Sequence, residues 1–241
     1  MVSKTTRKSQ TWSIIIFCFN ERDSVQRVFE SVFKTMARMA PGKFEIVIVD
    51  DGSTDGSAEV IQKIKAKSSK VRVVFHPRNL GIGRALYSGY AHAQNENVCA
   101  VPADGQFNPG ELIPFRNVPP KTFVSFFRKK QAGYNLFRLF LSAFNRLLNR
   151  ILLGIHLRDV NWVKIYKLKE LRKLNLRLRS SLIESEICAK LLARGNDCRE
   201  IPSVYHQRRG GEAKGGSLLN VWRAFQETLR LAVIVRGDQG R

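Results

Sequence analysis

The chain has 241 residues, of which 44% are apolar, with 17 Gly, 8 Pro and 4 Cys; that composition excludes a disordered chain, a disulfide-stapled mini-protein and a collagen, and suits one large domain. Its 41 Lys+Arg against 20 Asp+Glu give a formal charge of +21, which calls for a polyanionic partner: nucleic acid, anionic lipid or a phosphorylated substrate. The excess is lopsided, with 16 basic against 11 acidic residues in 1–120 and 25 against 9 in 121–241, so the C-terminal half is expected to face the anion.

After a basic tail over 1–11, the run SIIIFCF at 13–19 predicts a strand buried on both faces. Counted from Trp12, the apolar stretch is eight residues long and meets Asn20-Glu21-Arg22-Asp23, which is too short for a membrane span and lacks the cleavage site of a signal peptide. A helix over about 23–39 follows, then a strand at 44–49, a polar loop from Asp50 to Ser57 and a helix at 57–67. A third strand at 71–75, a helix over 81–94 and a fourth strand at 97–102 complete four βα repeats. Such alternation implies an α/β fold with a Rossmann-like, doubly wound, mostly parallel sheet. Ligands on these sheets sit at the carboxyl ends of the strands.

The second half is less regular. Strands are expected at 122–127, 160–166 and 198–205, and a helix at 181–194. Residues 134–153 set Arg and Asn among Leu and Phe at helical spacing. That pattern fits a core-facing amphipathic helix and a basic helix lying in a membrane interface equally well. A last amphipathic helix is expected at about 217–234. Cys18, Cys99, Cys188 and Cys198 are scattered with no CxxC pair, as reduced core thiols would be rather than a zinc site or a disulfide framework.

Four segments carry chemistry. Asp50-Asp51-Gly52-Ser53-Thr54-Asp55-Gly56-Ser57 ends the second strand with two adjacent carboxylates. A turn plus helix cap accounts for Asp55 and Gly56, but not for Asp50 and Asp51, which can accept from a nucleobase or a ribose. Asn79-Leu80-Gly81-Ile82-Gly83-Arg84 opens a helix; its glycines suit close packing of helix on strand better than a dinucleotide fingerprint. Asp104-Gly105-Gln106 follows the fourth strand with one carboxylate and one amide oxygen, ligands for a hard cation such as Mg²⁺ that fills its shell with phosphate and water. Tyr205 to Gly216 places Arg208, Arg209 and Lys214 in glycine-rich backbone suited to closing over phosphates.

In this order and at these separations the segments resemble glycosyltransferase family 2, with the A-type glycosyltransferase fold, nearest the branch of dolichyl- and polyprenyl-phosphate sugar synthases. The resemblance covers about residues 12–216, and it implies a nucleotide-binding half at 12–106, an acceptor half at 107–216 and a C-terminal helix and tail at 217–241. Phe17, Phe19 and Glu21 match the segment lining the nucleotide pocket, and Asp50 and Asp51 the nucleoside-contacting carboxylates. Asp104 and Gln106 match part of the metal motif for Mg²⁺ or Mn²⁺. Arg128 matches an arginine after the next strand, and Asp159 an aspartate opening a D-x-x-x-G-F segment. Arg138 and Ser142, one helical turn apart, resemble a pair that holds an acceptor phosphate, and Arg208 and Lys214 match cations on the donor diphosphate. The chain departs from the pattern at Pro102, where a first metal aspartate would stand, at Phe17 and Phe19, at Val163-Lys164 in place of Gly-Phe, and at Ala213 in place of a serine.

The expected function is metal-assisted transfer of a sugar from a nucleotide-diphosphate donor to a polyprenyl phosphate. The enzyme is expected in the cytoplasm, peripheral on an anionic membrane surface and without a transmembrane helix. A phosphate acceptor needs no strong general base; a hydroxyl of a cell-surface polysaccharide or glycolipid would, and Asp159 is then the candidate. A basic nucleic-acid-binding α/β domain is the reading of another class. The chain has no recognisable reading module or aromatic strip among its cations, so no nucleic acid is expected as a partner. Pro102 keeps a non-catalytic relative in view, against the retained Asp51, Asp104, Arg208 and Lys214.

Overall fold

The computed structural model describes residues 10–129, 146–147, 149–206 and 227–234. Within them lie strands β1 (Trp12–Cys18), β2 (Phe44–Asp50), β3 (Val71–Phe75), β4 (Asn97–Pro102), β5 (Thr122–Arg128), β6 (Lys164–Lys167) and β7 (Asp197–Ser203), and helices α1 (Arg22–Met39), α2 (Ser57–Lys67), α3 (Ile82–His92), α4 (Leu168–Arg172) and α5 (Ile183–Ala193). Residues 146–147, 149–153 and 227–234 are also helical. Asn108 caps a 3-10 turn at Pro109–Phe115, its Oδ1 accepting from the Gly110 N–H.

The strands form one mixed sheet in the order β3-β2-β1-β4-β6-β5-β7. The first four are mutually parallel, β6 runs antiparallel to both neighbours, and β7 is parallel to β5. The alternation along β1 explains the layering. Trp12, Ile14, Ile16 and Cys18 face one core with Val25, Val32 and Met36 of α1 and Ile61 of α2. Ile15 faces the other, with Leu86 of α3, Leu171 of α4 and Ile187 of α5, and Phe17 packs against it. Each such aliphatic side chain contributes roughly 1.5–3 kcal/mol when fully buried, so the central strand is locked in register from both faces.

The chain moves outward from β1 through β2 to β3, then returns to the other side of β1 as β4. That reversal opens a crevice at the carboxyl ends of β1 and β4, where Phe17 and Pro102 are register partners. Ligands of open α/β sheets bind at such a switch point.

The strand expected at 160–166 is shorter and later, at Lys164–Lys167. The Lys164 ammonium donates to the Val160 and Trp162 carbonyls, which curls 160–163 around it and delays pairing with β4. Cys18, Cys99 and Cys188 are buried and Cys198 half-buried, all as free thiols. Burial pushes Cys18 up to about 12 and Cys188 up to about 11, so these are packing groups rather than nucleophiles.

Candidate active site

A cavity of about 350 Å³ opens at the crevice, lined by Phe17 of β1, Pro102 of β4, Asp104 and Gln106 of the loop that follows, Arg128 at the end of β5, and Trp162. Four residues expected to serve the site, Phe17, Asp104, Gln106 and Arg128, thus meet in one place.

The 104–106 loop is held from both sides. The Gln106 N–H donates to Asp104 Oδ1 at 3.0 Å, and the His206 N–H donates to the Gln106 carbonyl at 3.1 Å. The Gln106 side-chain amide donates to the Tyr205 hydroxyl, which leaves its amide oxygen as an acceptor. Arg128 forks onto Asp159, Nε to Oδ2 at 2.7 Å and Nη2 to Oδ1 at 3.1 Å. Its guanidinium lies 5.0 Å from the Trp162 ring and 6.0 Å from that of Tyr205. A planar cation stacked on aromatics and clamped by a carboxylate keeps one orientation, so Arg128 presents fixed positive charge at the cavity wall. Asp159, the candidate base for a hydroxyl acceptor, is occupied in that clamp.

Among the described residues no group of three or more His, Cys, Asp or Glu is placed to hold a metal. Pro102 offers no side-chain ligand. Asp104 and the Gln106 amide oxygen are a two-oxygen set, which fits Mg²⁺ or Mn²⁺ only where phosphate and water complete the shell. A dication recruited together with a diphosphate meets that condition.

The Asp50–Ser57 loop spends much of its polarity on its neighbours. Asp50 accepts from the Ser53 hydroxyl, and Ser53 Oγ accepts from the Asn20 N–H at 2.9 Å. Burial pushes the Asp50 carboxyl up, against those Ser53 bonds. Asp55 accepts from the Arg22 N–H, and Ser57 Oγ from the Glu21 N–H. The Glu21 carboxylate accepts from Ser24 at 2.7 Å on the first turn of α1. Phe19, in the turn between β1 and α1, is half-buried. Gly52 has φ +70°, and a Cβ there would lie 2.3 Å from the Arg78 carbonyl carbon; only glycine lets the two loops touch.

Asp51 ties that contact together. Its Oδ1 meets His76 Nδ1 at 2.7 Å and the Leu80 N–H at 3.0 Å, and its Oδ2 accepts from the Gly81 N–H at 2.8 Å. His76 Nε2 in turn reaches Ser88 Oγ of α3 at 2.9 Å. The carboxylate expected to meet a nucleoside therefore also fixes the loop that opens α3. Asp51→Asn sets an amide against a backbone donor, and leaving a buried group unsatisfied costs about 1–3 kcal/mol. The expected result is a lowered melting temperature together with weaker nucleotide affinity, read by thermal denaturation with and without nucleotide. An unchanged melting temperature would remove the structural half of this account.

Sequence reasoning misses a buried polar cluster at the cavity floor. Glu184 of α5 lines the cavity, and its carboxylate accepts from the Tyr90 and Tyr166 hydroxyls at 2.6 Å each and pairs with Lys164 Nζ at 3.3 Å. The signal for it is a lysine inside an expected buried strand, which requires an anion somewhere opposite it. Glu186, two residues on, is spent on structure: it takes the Arg177 and Leu178 N–H groups and the Lys190 ammonium. Gly83 sets the cluster's distance from the crevice. A Cβ there would lie 2.0 Å from the Ser180 carbonyl oxygen, so α3 packs directly on the segment that leads into α5 rather than on a strand, while Gly81, at φ +90°, has open space around it. Arg138, Ser142, Arg208 and Lys214 lie outside the described residues.

Comparison with known proteins places the fold. The undecaprenyl-phosphate 4-deoxy-4-formamido-L-arabinose transferase of Edwardsiella ictaluri (strain 93-146) is 36% identical over 103 residues, which is 42% of this chain and 31% of that protein. The protein of the same name from Proteus mirabilis (strain HI4320) is 31% identical over 111 residues, 46% of this chain and 33% of that one. The chain thus matches about a third of the length of these relatives. Mannosyl-3-phosphoglycerate synthase from Rubrobacter xylanophilus superposes with a TM-score of 0.68 at 19% identity, covering 96% of this chain and 75% of that one. Glucosyl-3-phosphoglycerate synthase from Mycobacterium tuberculosis, in complex with UDP, gives 0.63 at 18%, with 95% and 80% covered; the same enzyme is known in complex with Mn²⁺, UDP and its glucosyl product. These likenesses show a shared fold, the A-type glycosyltransferase fold. The glycosyl transferase family 2 model matches residues 13–150, more than half of the sequence, and the chain belongs to that family.

Proposed function

We propose that this protein transfers a sugar from a nucleotide-diphosphate donor to a polyprenyl phosphate at a membrane surface. The observation that carries the reading is the cavity in which Phe17, Asp104, Gln106 and Arg128 meet at the crevice between β1 and β4. Asp104 and Gln106 would hold a dication, which would supply positive charge to the departing diphosphate. Phe17, Phe19, Glu21, Asp50 and Asp51 border the nucleotide, with Arg208 and Lys214 on its diphosphate. Arg128 and, from the sequence, Arg138 and Ser142 attract the acceptor phosphate. An oxygen of that phosphate forms the new bond to the anomeric carbon as the bond to the diphosphate breaks, and the nucleoside diphosphate leaves with the electron pair.

Two features favour a phosphate over a hydroxyl acceptor. A phosphate is already anionic near neutral pH and needs no base, and the candidate base Asp159 is held by both arms of Arg128. The relatives that carry undecaprenyl phosphate in their names point the same way. A lipid acceptor also suits the helical residues at 146–147, 149–153 and 227–234. Leu147, Ile151, Leu229 and Val233 are exposed there beside Arg146, Arg150 and Arg230, the composition of an interfacial helix on an anionic surface. No described helix is long and apolar enough to cross a membrane.

The test is transfer of radiolabelled sugar into an organic-extractable product, using undecaprenyl or dolichyl phosphate with Mg²⁺ or Mn²⁺. Product is expected, and Arg138→Ala is expected to lower turnover by roughly one to two orders of magnitude while leaving donor affinity intact. No organic-phase product with any donor, or an Arg138→Ala loss confined to donor affinity, would turn the assignment toward a saccharide acceptor.

A further inference from the structure

The floor of the cavity carries a charge for which the transfer step has no use. Lys164 has a side chain 0% exposed and Glu184 one 10% exposed, and Glu184 lines the same cavity as Phe17, Asp104 and Arg128. The protein-side partners of the carboxylate are few and specific. Oε1 takes the Tyr90 hydroxyl; Oε2 takes the Tyr166 hydroxyl and the Lys164 ammonium. A carboxylate has about four acceptor sites, so one on Oε1 has no partner among the described residues. Burial pushes the ammonium of Lys164 down, but the charge and hydrogen bond of the facing Glu184, with smaller contributions from Cys188 and Asp159, together leave the lysine above its ordinary value. Burial first, together with the same carboxylate, holds Tyr90 and Tyr166 well above the usual phenol range. Both tyrosines therefore act as fixed donors.

Stability alone does not account for the pair. Two buried charges are costly to desolvate, and well-packed apolar residues in their place are often neutral or better. Tyr90 and Tyr166 already stack edge to face with centroids 6.1 Å apart, so an apolar floor was available. The pair's placement gives it a use, because Glu184 lines the cavity that Asp104 and Arg128 also line.

We propose that Glu184 reads the transferred sugar, accepting a hydrogen bond from one of its hydroxyl or N–H groups, with Lys164, Tyr90 and Tyr166 as positioning residues. This rests on the nucleotide-sugar reading and deepens it. The donor class it selects is a sugar with a hydrogen-bond donor on the face that meets α5. The class it rejects is a sugar acid, whose carboxylate would meet Glu184 as a like charge without its proton.

The experiment is calorimetric titration, with Mn²⁺ present, of uridine, guanosine and thymidine diphosphates, their hexose nucleotides and the matching uronate nucleotides. The native protein is expected to favour the hexose nucleotide over the uronate by about tenfold or more. Glu184→Gln should narrow that gap to about threefold or less, with affinity for the sugar-free nucleoside diphosphate unchanged. The paired variant Lys164→Met/Glu184→Leu, which leaves no unpaired charge, should show the same narrowing. A folded variant with an unchanged hexose-to-uronate ratio overturns the proposal, and so does a native protein that binds the two nucleotides equally. A native protein that binds no nucleotide at all overturns the underlying function instead.

Discussion

Asp104→Ala is expected to abolish metal-dependent use of the donor, with a fall in transfer rate of about 10²–10³-fold or more. The size follows from the thinness of the ligand set. Asp104 is the one carboxylate of the loop after β4, Pro102 contributes no ligand, and Gln106 contributes a neutral oxygen. Gln106→Ala should cost less, because a neutral amide does less for a dication, although it also releases the contact with Tyr205. Two measurements check this: transfer at saturating Mg²⁺ or Mn²⁺, and the shift in melting temperature that nucleoside diphosphate plus metal produces. Near-native transfer by Asp104→Ala at saturating metal would dismiss the metal assignment.

Lys164→Met is expected to destabilise the protein more than Asp51→Asn does. It strips the ammonium from Glu184 and leaves a carboxylate among Tyr90, Tyr166 and Cys188 with no compensating charge. Breaking a buried pair in this way costs about 3–5 kcal/mol, a large part of the total for a domain of this size. Changing Glu184→Leu in the same chain should recover most of that loss. Chemical denaturation of the single and double variants measures the coupling directly. Equal stability of the single variant and the native protein would mean that the ammonium is not held as described.

The first half of the fold is legible in the sequence because each element there obeys one simple period. β1, β2 and β4 are continuous apolar runs, and α1 places Val25, Val28, Val32 and Met36 on one face. The strand at 71–75 and the helix at 57–67 stand where the sequence pattern puts them. The meeting of residues in one cavity is legible where they sit at strand ends, as with Phe17, Asp104 and Gln106. It is less legible where a residue serves two masters. Asp51 reads as a ligand contact, and no local pattern reveals that His76, Leu80 and Gly81 share its oxygens. Asp159 reads as a base, and its capture by Arg128, 31 positions away, is a matter of tertiary packing. The start of β6 is misjudged from sequence because a lysine within an apolar run looks like a pattern error until its buried partner on α5 is known. Glu184 itself lies in a helix whose apolar and polar residues are nearly all buried, so no exposed face marks it out.

The pairing of Lys164 with Glu184 also constrains how this chain can have diverged. Either residue alone is costly: the lysine without its anion is a buried cation, and the glutamate without its lysine is a buried anion. Residue 164 stands where the family pattern resembled by this sequence has an apolar aromatic, so a route between the two states passes through an intermediate carrying one unmatched charge. Positions 164 and 184 should therefore change together across relatives of this chain. Subgroups with an apolar residue at the first are expected to have given up the acid at the second, and with it the charged part of this cavity's lining.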